Sequence, residues 1–300
     1  MNSIKEALFL YNPRSGRGKI ERHKEAILAC FVEQGYQITA EGIDFQKNPF
    51  AGRETLALVV VAGGDGTVNY VVNRMMELGL NLPIGIIPAG TANDFARAIG
   101  MDKDPVKAAR QIATGRIERL DCGRVNDLYF VNIFSFGLFT TTSQRTPDEQ
   151  KHRLGKLAYI IEGIKELRRM HNIPLQVRTE KEQFEMDTLI ALIFNGETAG
   201  GFHLARRSSV KDGAFDCLLL EKRNFFYSCW TMLRYLLGGS PRAIHHLHTP
   251  FIALHSPIQE PTDVDGQQGA TFPLEVRCLA GALQIQCAAT NDNEDLKKTI

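Results

Sequence analysis

The feature that most constrains this chain is a continuous apolar run that stops at a cluster of glycines. Residues 56–62 read Leu-Ala-Leu-Val-Val-Val-Ala, and Gly63-Gly64-Asp65-Gly66-Thr67 follows directly. Beyond the glycines, apolar residues recur between Val68 and Leu78 at the spacing of an amphipathic helix. A β-branched run of this kind is typical of a strand buried on both faces. The sequence therefore predicts a buried strand, a tight loop and a helix that begins at the loop.

The same pattern occurs in two other places. An apolar run at 7–12 ends at Pro13 and precedes a helical stretch at 20–32, and a run at 82–87 precedes another at 91–99. Repeated strand–loop–helix units favour a parallel sheet covered by helices, with ligands bound at the carboxyl ends of the strands. Residues 1–121 are predicted to form one α/β domain.

The pattern changes after Asp121. Short strand-like runs separated by turn residues occur at 128–136, 175–179, 189–194, 215–220, 250–254 and 274–278, and helical stretches occur at 155–170 and 225–237. This spacing predicts a mainly antiparallel β-sandwich or open barrel over residues 122–285. Whether the tail 286–300 completes the first domain is left open.

Composition excludes several classes of protein. With 44% hydrophobic and 23% charged residues among 300, the chain is of the ordinary globular kind and is neither disordered nor collagenous. A net charge of +1 gives no global field for nucleic acid. The six cysteines lack C-x-x-C spacing, which favours reduced thiols in a cytosolic protein over a zinc site or a disulfide framework. No apolar stretch approaches the ~18 residues of a membrane span, and association with a membrane surface stays open.

The loop at 63–67 has the composition of a phosphate-binding loop. Glycines allow close approach of a ligand, and the following helix offers unpaired N–H groups and the positive end of its dipole. Asp65 would repel phosphate unless a cation bridges them or the carboxylate accepts a proton, so magnesium binding or general-base work is indicated. The alternative is a tight turn between strand and helix.

Two other loops belong beside it. Gly90-Thr91-Ala92-Asn93-Asp94 supplies a hydroxyl, an amide and a carboxylate, although Thr, Asn and Asp are also ordinary helix caps. The segment 12–19 adds basic residues and a hydroxyl. It is not a Walker A loop, because Pro13 and Ile20 stand where glycine and a hydroxyl are required. Asn69 replaces the third glycine of a dinucleotide fingerprint, so a nucleoside triphosphate is the better ligand.

Three segments together resemble, in order and spacing, the diacylglycerol kinase catalytic-domain family, which includes sphingosine and ceramide kinases and many bacterial lipid kinases. They are Asn12-Pro13-x-Ser15-Gly16, Gly63-Gly64-Asp65-Gly66-Thr67 and Gly90-Thr91-Ala92-Asn93-Asp94-Phe95-Ala96-Arg97. The likeness continues at Asn195-Gly196 with Gly200-Gly201-Phe202, at 211–216 and at Asp265-Gly266, and it covers nearly the whole chain.

The resemblance implies an α/β domain like that of phosphofructokinase and NAD kinase, joined to a β-sandwich. It also implies transfer of phosphate from ATP to a lipid hydroxyl, with diacylglycerol as the default acceptor. Asp65 and Asp94 would join a carboxylate–water–magnesium network. Asp265 is the implied base in bacterial members, whereas sphingosine kinases assign that role to the aspartate matching Asp65. The candidate nucleotide-binding residues are Asn12, Ser15, Gly63, Gly64, Asp65, Gly66, Thr67, Gly90, Thr91, Asn93 and Asp94.

Other positions carry weaker signals. Asp212 and Asp216 flank Gly213, and the resemblance places a structural magnesium near them, with Asp212 the better candidate. An aspartate–glycine turn explains them equally well. Gln267 stands where the family usually has glutamate. The stripe of Phe225, Phe226, Trp230, Leu233, Leu236 and Leu237 is interpreted as core packing in preference to a membrane anchor, and His245, His246 and His248 as an exposed strand end.

We therefore expect a cytosolic lipid kinase that works at the membrane surface with ATP and Mg²⁺, and binds no nucleic acid. An NAD kinase shares the loop at 63–67, but the residues at 93–97 favour the lipid branch. A non-catalytic nucleotide- or lipid-binding regulator is the other alternative, which Gln267 keeps open. A homodimer is also left open.

Overall fold

The computed structural model describes residues 5–137, 171–199, 202–205 and 208–288. The chain divides into two compact units, one formed by Met1–Leu120 with Gly281–Ile300 and the other by Asp121–Ala280. The helix expected at 155–170 lies outside the described residues, as does the tail from 289 onward.

The first unit is built on a parallel sheet. Its strands are β1 (Lys5–Tyr11), β2 (Tyr36–Gly42), β3 (Leu58–Gly63) and β4 (Ile84–Pro88). They lie in the order β2-β1-β3-β4, and every neighbouring pair is parallel. Ile285, near the end of the chain, pairs in parallel with Ile84 and adds a fifth strand to this sheet. All residues of β3 and β4 are buried, as their continuous apolar runs predicted.

Helices separate these strands in the chain. They are α1 (Lys19–Val32), α2 (Asp65–Glu77), α3 (Asp94–Ala98) and α4 (Pro105–Thr114), with a 3₁₀ turn at Ser15–Gly18 before α1. The apolar face of α1 is buried through Ile20, Ile27 and Phe31. Asp104 caps α4 by accepting hydrogen bonds from the N–H groups of Val106 and Lys107. The predicted strand–loop–helix repeats are confirmed.

The second unit is antiparallel. Two long strands, β5 (Arg116–Val125) and β17 (Leu274–Cys287), run from one unit into the other. Between them lie β6 (Leu128–Phe130), β7 (Ile133–Phe136), β8 (Ile173–Thr179), β9 (Gln183–Phe194), β10 (Thr198–Ala199), β11 (Phe202–His203), β12 (Phe215–Glu221), β13 (Ile244–Thr249), β14 (Phe251–His255), β15 (Thr262–Val264) and β16 (Gln267–Gln268). The central strand β9 pairs with β7, β8 and β12, always antiparallel.

Aromatic side chains fill the core of the second unit. Phe130 stacks on Phe215 at 5.4 Å between ring centroids, and Phe136 meets Phe272 edge to face. Aliphatic residues of β8, β9, β14 and β17 complete this core. The expectation of an antiparallel β-sandwich is confirmed, because alternate residues of these strands point inward, as in the burial pattern of β8.

Among the described residues of the second unit there is one helix, α5 (Phe225–Leu236), and its start agrees with the sequence prediction. The interpretation of its aromatic stripe as core packing was wrong. Phe226, Trp230 and Leu233 are exposed, as is Leu237 just beyond the helix. The buried positions of the helix are instead the small polar residues Ser228 and Thr231.

Candidate active site

The carboxyl ends of three parallel strands place the predicted loops at one edge of the first sheet. The strand order puts β1 between β2 and β3, so the direction of winding reverses between β1 and β3, where open α/β sheets bind ligands. The N–H of Asn12 donates to the carbonyl of Ala62 at 3.0 Å, and the N–H of Ala89 donates to the carbonyl of Gly63 at 2.9 Å. The three loops therefore start side by side.

Side chains and glycines then join these loops to one another. Asn12 Nδ2 donates to Thr67 Oγ1 at 3.4 Å, and the N–H of Phe95 donates to Asp65 Oδ1 at 3.3 Å. A Cβ atom on Gly90 would lie only 2.4 Å from Gly64 Cα. The glycines are needed because one loop backbone lies directly against the other.

Asn93 shapes the loop after β4. Its Oδ1 accepts a hydrogen bond from the Gly90 N–H at 2.7 Å, and its Nδ2 donates to the Gly90 carbonyl at 2.8 Å. The residue has φ +50°, which asparagine tolerates because its short side chain bonds locally. Thr91 is exposed at the tip of this loop, and Ser15 donates its backbone N–H to the carbonyl of Asn12.

Asp65 and Asp94 form a pair of neighbouring carboxylates. Burial raises the pKa of Asp65, the negative charge of Asp94 raises it further, and backbone N–H groups of Phe95 and Asp94 oppose these effects. Asp94 itself is 4% exposed. A carboxyl whose pKa is raised in this way is a better proton acceptor than an ordinary aspartate.

The same pair fits a divalent cation. Asp65 is the first residue of the 13-residue helix α2, whose N-terminus attracts anions such as phosphate. Two repelling carboxylates beside that end supply the hard oxygen ligands that Mg²⁺ prefers, and a cation there would offset their repulsion. The edge of the sheet thus combines an anion-binding helix end with a cation-binding carboxylate pair.

Asp265 lies in the second unit and has a different environment. It accepts hydrogen bonds from the backbone N–H groups of Val131, Asn132 and Ile133 at 2.7, 3.0 and 2.9 Å. Asp265 and Gly266 have φ values of +50° and +86° in the two-residue connection between β15 and β16, as in a type I′ hairpin turn. The carboxylate therefore fastens the chain before β7 to this hairpin, while Gln267 is exposed on β16.

The two residues expected at a structural metal have separate partners. Asp212 Oδ1 accepts from the Ala214 N–H at 3.1 Å within its own turn. Asp216 is buried on β12, and His246 Nε2 and His248 Nδ1 lie 3.1 and 3.3 Å from its Oδ1. Burial acts to raise the pKa of Asp216, but the hydrogen bonds and charges of the two histidines outweigh it and lower the pKa. The histidines lie on a strand, as the sequence indicated.

Sequence reasoning assigned no role to two buried polar residues of the second unit. Asp121 Oδ2 accepts from the Gly213 N–H at 2.7 Å, so a carboxylate on β5 holds the turn that contains Asp212. Asn195 is fully buried and donates to the carbonyls of Asp121 and Val131 at 3.0 and 2.9 Å. The sequence could have indicated them, because each is a charged or amide residue directly beside an apolar strand. Burial of such a residue without a hydrogen-bond partner is costly.

The described part of the chain lacks two features that would bear on function. It contains no cluster of three or more His, Cys, Asp or Glu side chains arranged to hold a metal ion. Nor does any helix in it combine the length and apolarity needed to cross a membrane. All six cysteines are free thiols.

Glycine loops at parallel strand ends, a helix N-terminus and paired carboxylates define a phosphoryl-transfer enzyme. Family profiles agree with this class. Residues 6–125 match the profile described as diacylglycerol kinase catalytic domain, and residues 133–287 match the YegS C-terminal NAD kinase beta sandwich-like domain.

Individual proteins are similar over almost the whole chain. A diacylglycerol kinase of Bacillus subtilis is 32% identical over 91% of this chain and 93% of its own length. One from Staphylococcus carnosus is 29% identical over 97% and 98%. A crystal structure from Bacillus anthracis aligns with a TM-score of 0.81 at 22% identity, covering 96% of this chain and 98% of that one. The chain belongs to the diacylglycerol kinase family and is an ATP-dependent lipid kinase.

Proposed function

We propose that this chain transfers the γ-phosphate of ATP to the free hydroxyl of diacylglycerol. The observation that carries the proposal is the carboxylate pair of Asp65 and Asp94 at the N-terminus of α2. Relatives that are similar over nearly the whole chain are named for diacylglycerol, which supports this acceptor over other lipid alcohols.

The nucleotide phosphates bind at the edge of the first sheet. The N-terminus of α2, with Gly64, Gly66 and Thr67, receives them because backbone N–H groups and the helix dipole stabilise negative charge there. Asn12, Ser15, Gly63, Gly90, Thr91 and Asn93 form the surrounding loops that hold the nucleotide. The hydrogen bond between Asn12 and Thr67 keeps two of these loops in register.

Asp65 is the residue that we assign to accept the proton of the attacking hydroxyl. Because its pKa is raised, the Asp65 carboxylate binds a proton more strongly than an ordinary aspartate does, as a general base requires. Asp265 instead accepts hydrogen bonds from three backbone N–H groups, so both of its carboxylate oxygens are engaged by the chain at 131–133. We therefore assign Asp265 to positioning the chain before β7.

Asp65 and Asp94 would hold magnesium through a carboxylate–water network, and the ion would supply charge neutralisation for the transferring phosphoryl group. Asp212 is the candidate for a second, structural ion, since Asp121 fixes its turn through Gly213. Asp216 is a weaker candidate, because His246 and His248 share its Oδ1. Its Oδ2 has no hydrogen-bond partner among the described residues and is the atom that a cation would use.

The acceptor sets where the enzyme works. Diacylglycerol with long acyl chains resides in a bilayer, so a chain that phosphorylates it must act at a membrane surface. We place the protein on the cytoplasmic side, where ATP is available, as a peripheral protein.

Purified protein incubated with γ-labelled ATP and Mg²⁺ tests the proposal against three classes of acceptor. Diacylglycerol and other lipid alcohols are presented in mixed micelles, and NAD is presented in solution. Label in phosphatidic acid is the expected result. Label in NADP would indicate an NAD kinase, and saturable ATP binding without any labelled product would indicate a regulator.

A further inference from the structure

Several large apolar side chains of helix α5 face solvent, whereas a helix that packs into a core would bury them. Phe226 is 82% exposed, Trp230 60% and Leu237 79%, and Leu233 lies on the same stripe. The spacing of 226, 230, 233 and 237 follows one face of a helix. Contiguous exposed apolar surface of this kind is uncommon on soluble proteins and marks a surface that meets another apolar phase.

The opposite face of α5 is firmly attached. Phe225 and Met232 pack against Leu189, Ile190 and Leu220. Asn224 caps the helix by accepting from the Tyr227 N–H at 2.9 Å, and the Tyr235 hydroxyl donates to the Leu204 carbonyl at 2.6 Å. The exposed stripe therefore belongs to an ordered helix that projects its aromatic side chains from the β-sandwich.

The buried side of the helix contains two hydroxyl groups as well as apolar side chains. Ser228 and Thr231 are each 1% exposed, and their hydroxyls have no hydrogen-bond partner among the described residues. Exposing Trp230 and Phe226 while burying two hydroxyls is unfavourable for a protein surrounded by water. Covering the outer face would remove the exposed aromatic area from water.

The sequence that carries the stripe is poor in acidic residues, although Glu221, just before it, pairs with Arg223 at 2.7 Å. From 222 to 259 the chain contains no Asp or Glu and four Lys or Arg residues, against a net charge of only +1 for the whole chain. A groove of about 410 Å³ beside the stripe is lined by Tyr227, Trp230, Thr231, Arg234, Ser240, Pro241 and Arg242. Two exposed guanidinium groups and a hydroxyl in that groove suit the phosphate of a lipid headgroup.

We propose that this face is a membrane-docking surface that inserts into an anionic lipid bilayer. The docking surface consists of Phe226, Tyr227, Trp230, Leu233 and Leu237, flanked by Arg234 and Arg242. Aromatic side chains enter the region between headgroups and acyl chains, while the arginines bind headgroup phosphates. The inference rests on the proposed function, in which the acceptor is a bilayer lipid, and it names the surface that brings the enzyme to that acceptor.

Trp230 is the single tryptophan of the chain, so its fluorescence reports on the docking surface without any substitution. Vesicles with roughly one-third phosphatidylglycerol in phosphatidylcholine should shift the emission to the blue, and brominated acyl chains should quench it. Pure phosphatidylcholine vesicles and about 0.5 M salt should weaken both effects. Flotation of the protein with vesicles without a spectral change would show that another surface binds, and would overturn the proposal.

Variants supply the second arm. Phe226→Ser and Leu237→Ser should each weaken partitioning onto anionic vesicles about tenfold, equivalent to ~1.4 kcal/mol. Arg234→Glu should weaken it similarly, and only at low salt. Matched controls are Val32→Ser, an exposed apolar residue of the first unit, and Lys181→Glu in the turn after β8, which should leave partitioning unchanged. Equal losses in the controls would overturn the proposal.

Kinase assays separate failure of this surface from failure of the proposed function. Phe226→Ser should phosphorylate dispersed short-chain diacylglycerol at the wild-type rate and lose activity only on vesicles. If the wild type phosphorylates lipid but its Trp230 emission does not shift with vesicles, the docking surface is wrong and the proposed function stands. If the emission shifts but no lipid is phosphorylated, the proposed function is wrong and the docking surface stands. A blue-shifted Trp230 in vesicle-free solution, with a dimer by light scattering that Leu237→Ser dissolves, would instead assign the face to a second copy of the chain.

Discussion

In the absence of ligands the ionised Asp65 carboxylate destabilises the folded protein, because burial and the charge of Asp94 both oppose its ionisation. A carboxyl whose folded pKa is raised stabilises the fold fully below its unfolded pKa, and this contribution is lost as the pH rises through the folded value. Asp65→Asn should therefore raise the Tm of the ligand-free protein at neutral pH by roughly 2–4 °C, equivalent to about 1 kcal/mol. The gain should shrink as the pH falls toward 3.8, the ordinary value for aspartate.

Thermal unfolding by circular dichroism between pH 4 and pH 8 measures this effect. Asp44→Asn in the same unit is the control of opposite sign, because the Gln46 N–H and Lys47 lower the pKa of Asp44. An Asp65→Asn protein that unfolds at a lower temperature than wild type at pH 7 would contradict the proposal that the Asp65 charge destabilises the fold.

Asp265→Asn distinguishes a positioning role from a catalytic one. Asparagine keeps the left-handed turn, but its NH₂ group would face backbone N–H groups that now donate hydrogen bonds to the carboxylate. We expect a loss of about 2–3 kcal/mol in the free energy of unfolding, measured in urea. A variant of unchanged stability with a kcat lowered at least about a hundredfold would restore Asp265 as the base.

Gln267→Glu tests the departure from the family pattern. If the family glutamate at this position orients the magnesium network, the added carboxylate should lower the magnesium requirement or raise kcat by about an order of magnitude. Gln268→Glu places the same charge on the opposite face of β16 and is the matched control. Identical magnesium titrations for wild type and Gln267→Glu would make position 267 a turn residue, and lower activity would indicate tuning to an unusual acceptor.

At this scale the sequence identified Asp65, Asp94 and Asn93, because each follows a readable strand and stands in a glycine loop. It did not reveal the partners of Asp265 or of Asp216. Those partners lie 134 and 30 positions away in the chain, and no local pattern encodes such a pairing.

At the scale of elements, the contact between the loops after β3 and β4 is the feature on which the nucleotide site depends. Gly90→Ala places a methyl group where Gly64 Cα lies, so the loops must separate. We expect kcat/KM for ATP to fall at least about a hundredfold while the protein remains folded. Asp104→Ala is the control, since losing the cap of α4 costs about 1 kcal/mol of stability and leaves ATP kinetics unchanged. Equal kinetic losses in both variants would show a general effect of instability.

Elements were predictable where burial follows periodicity. The apolar runs that became β1, β3 and β4, and the repeat that became α2, were read correctly because both faces or one face of each is buried. The aromatic stripe of α5 was interpreted incorrectly, because periodicity identifies the apolar face of a helix but not what covers that face. Only the structure shows that Trp230 and Phe226 face outward.

At the scale of the whole molecule, the order of strands in the sheets was beyond local reading. Ile285, near the end of the chain, pairs with Ile84 in the first sheet, after the chain has formed the entire second unit. Composition and spacing describe each strand, but the pairing of such distant strands depends on the packing of the complete fold. The α/β and antiparallel classes were nevertheless predictable from the change of pattern after Asp121.

A single-turnover experiment tests the central claim most directly. Enzyme in excess over γ-labelled ATP is mixed with Mg²⁺ and short-chain diacylglycerol, and labelled phosphatidic acid is extracted over time. We predict transfer by the wild type and, for Asp65→Asn, a rate at least about a thousandfold lower with ATP still bound. Transfer by Asp65→Asn at the wild-type rate would contradict the assignment of Asp65, and the absence of labelled phosphatidic acid with wild-type enzyme would contradict the proposed acceptor.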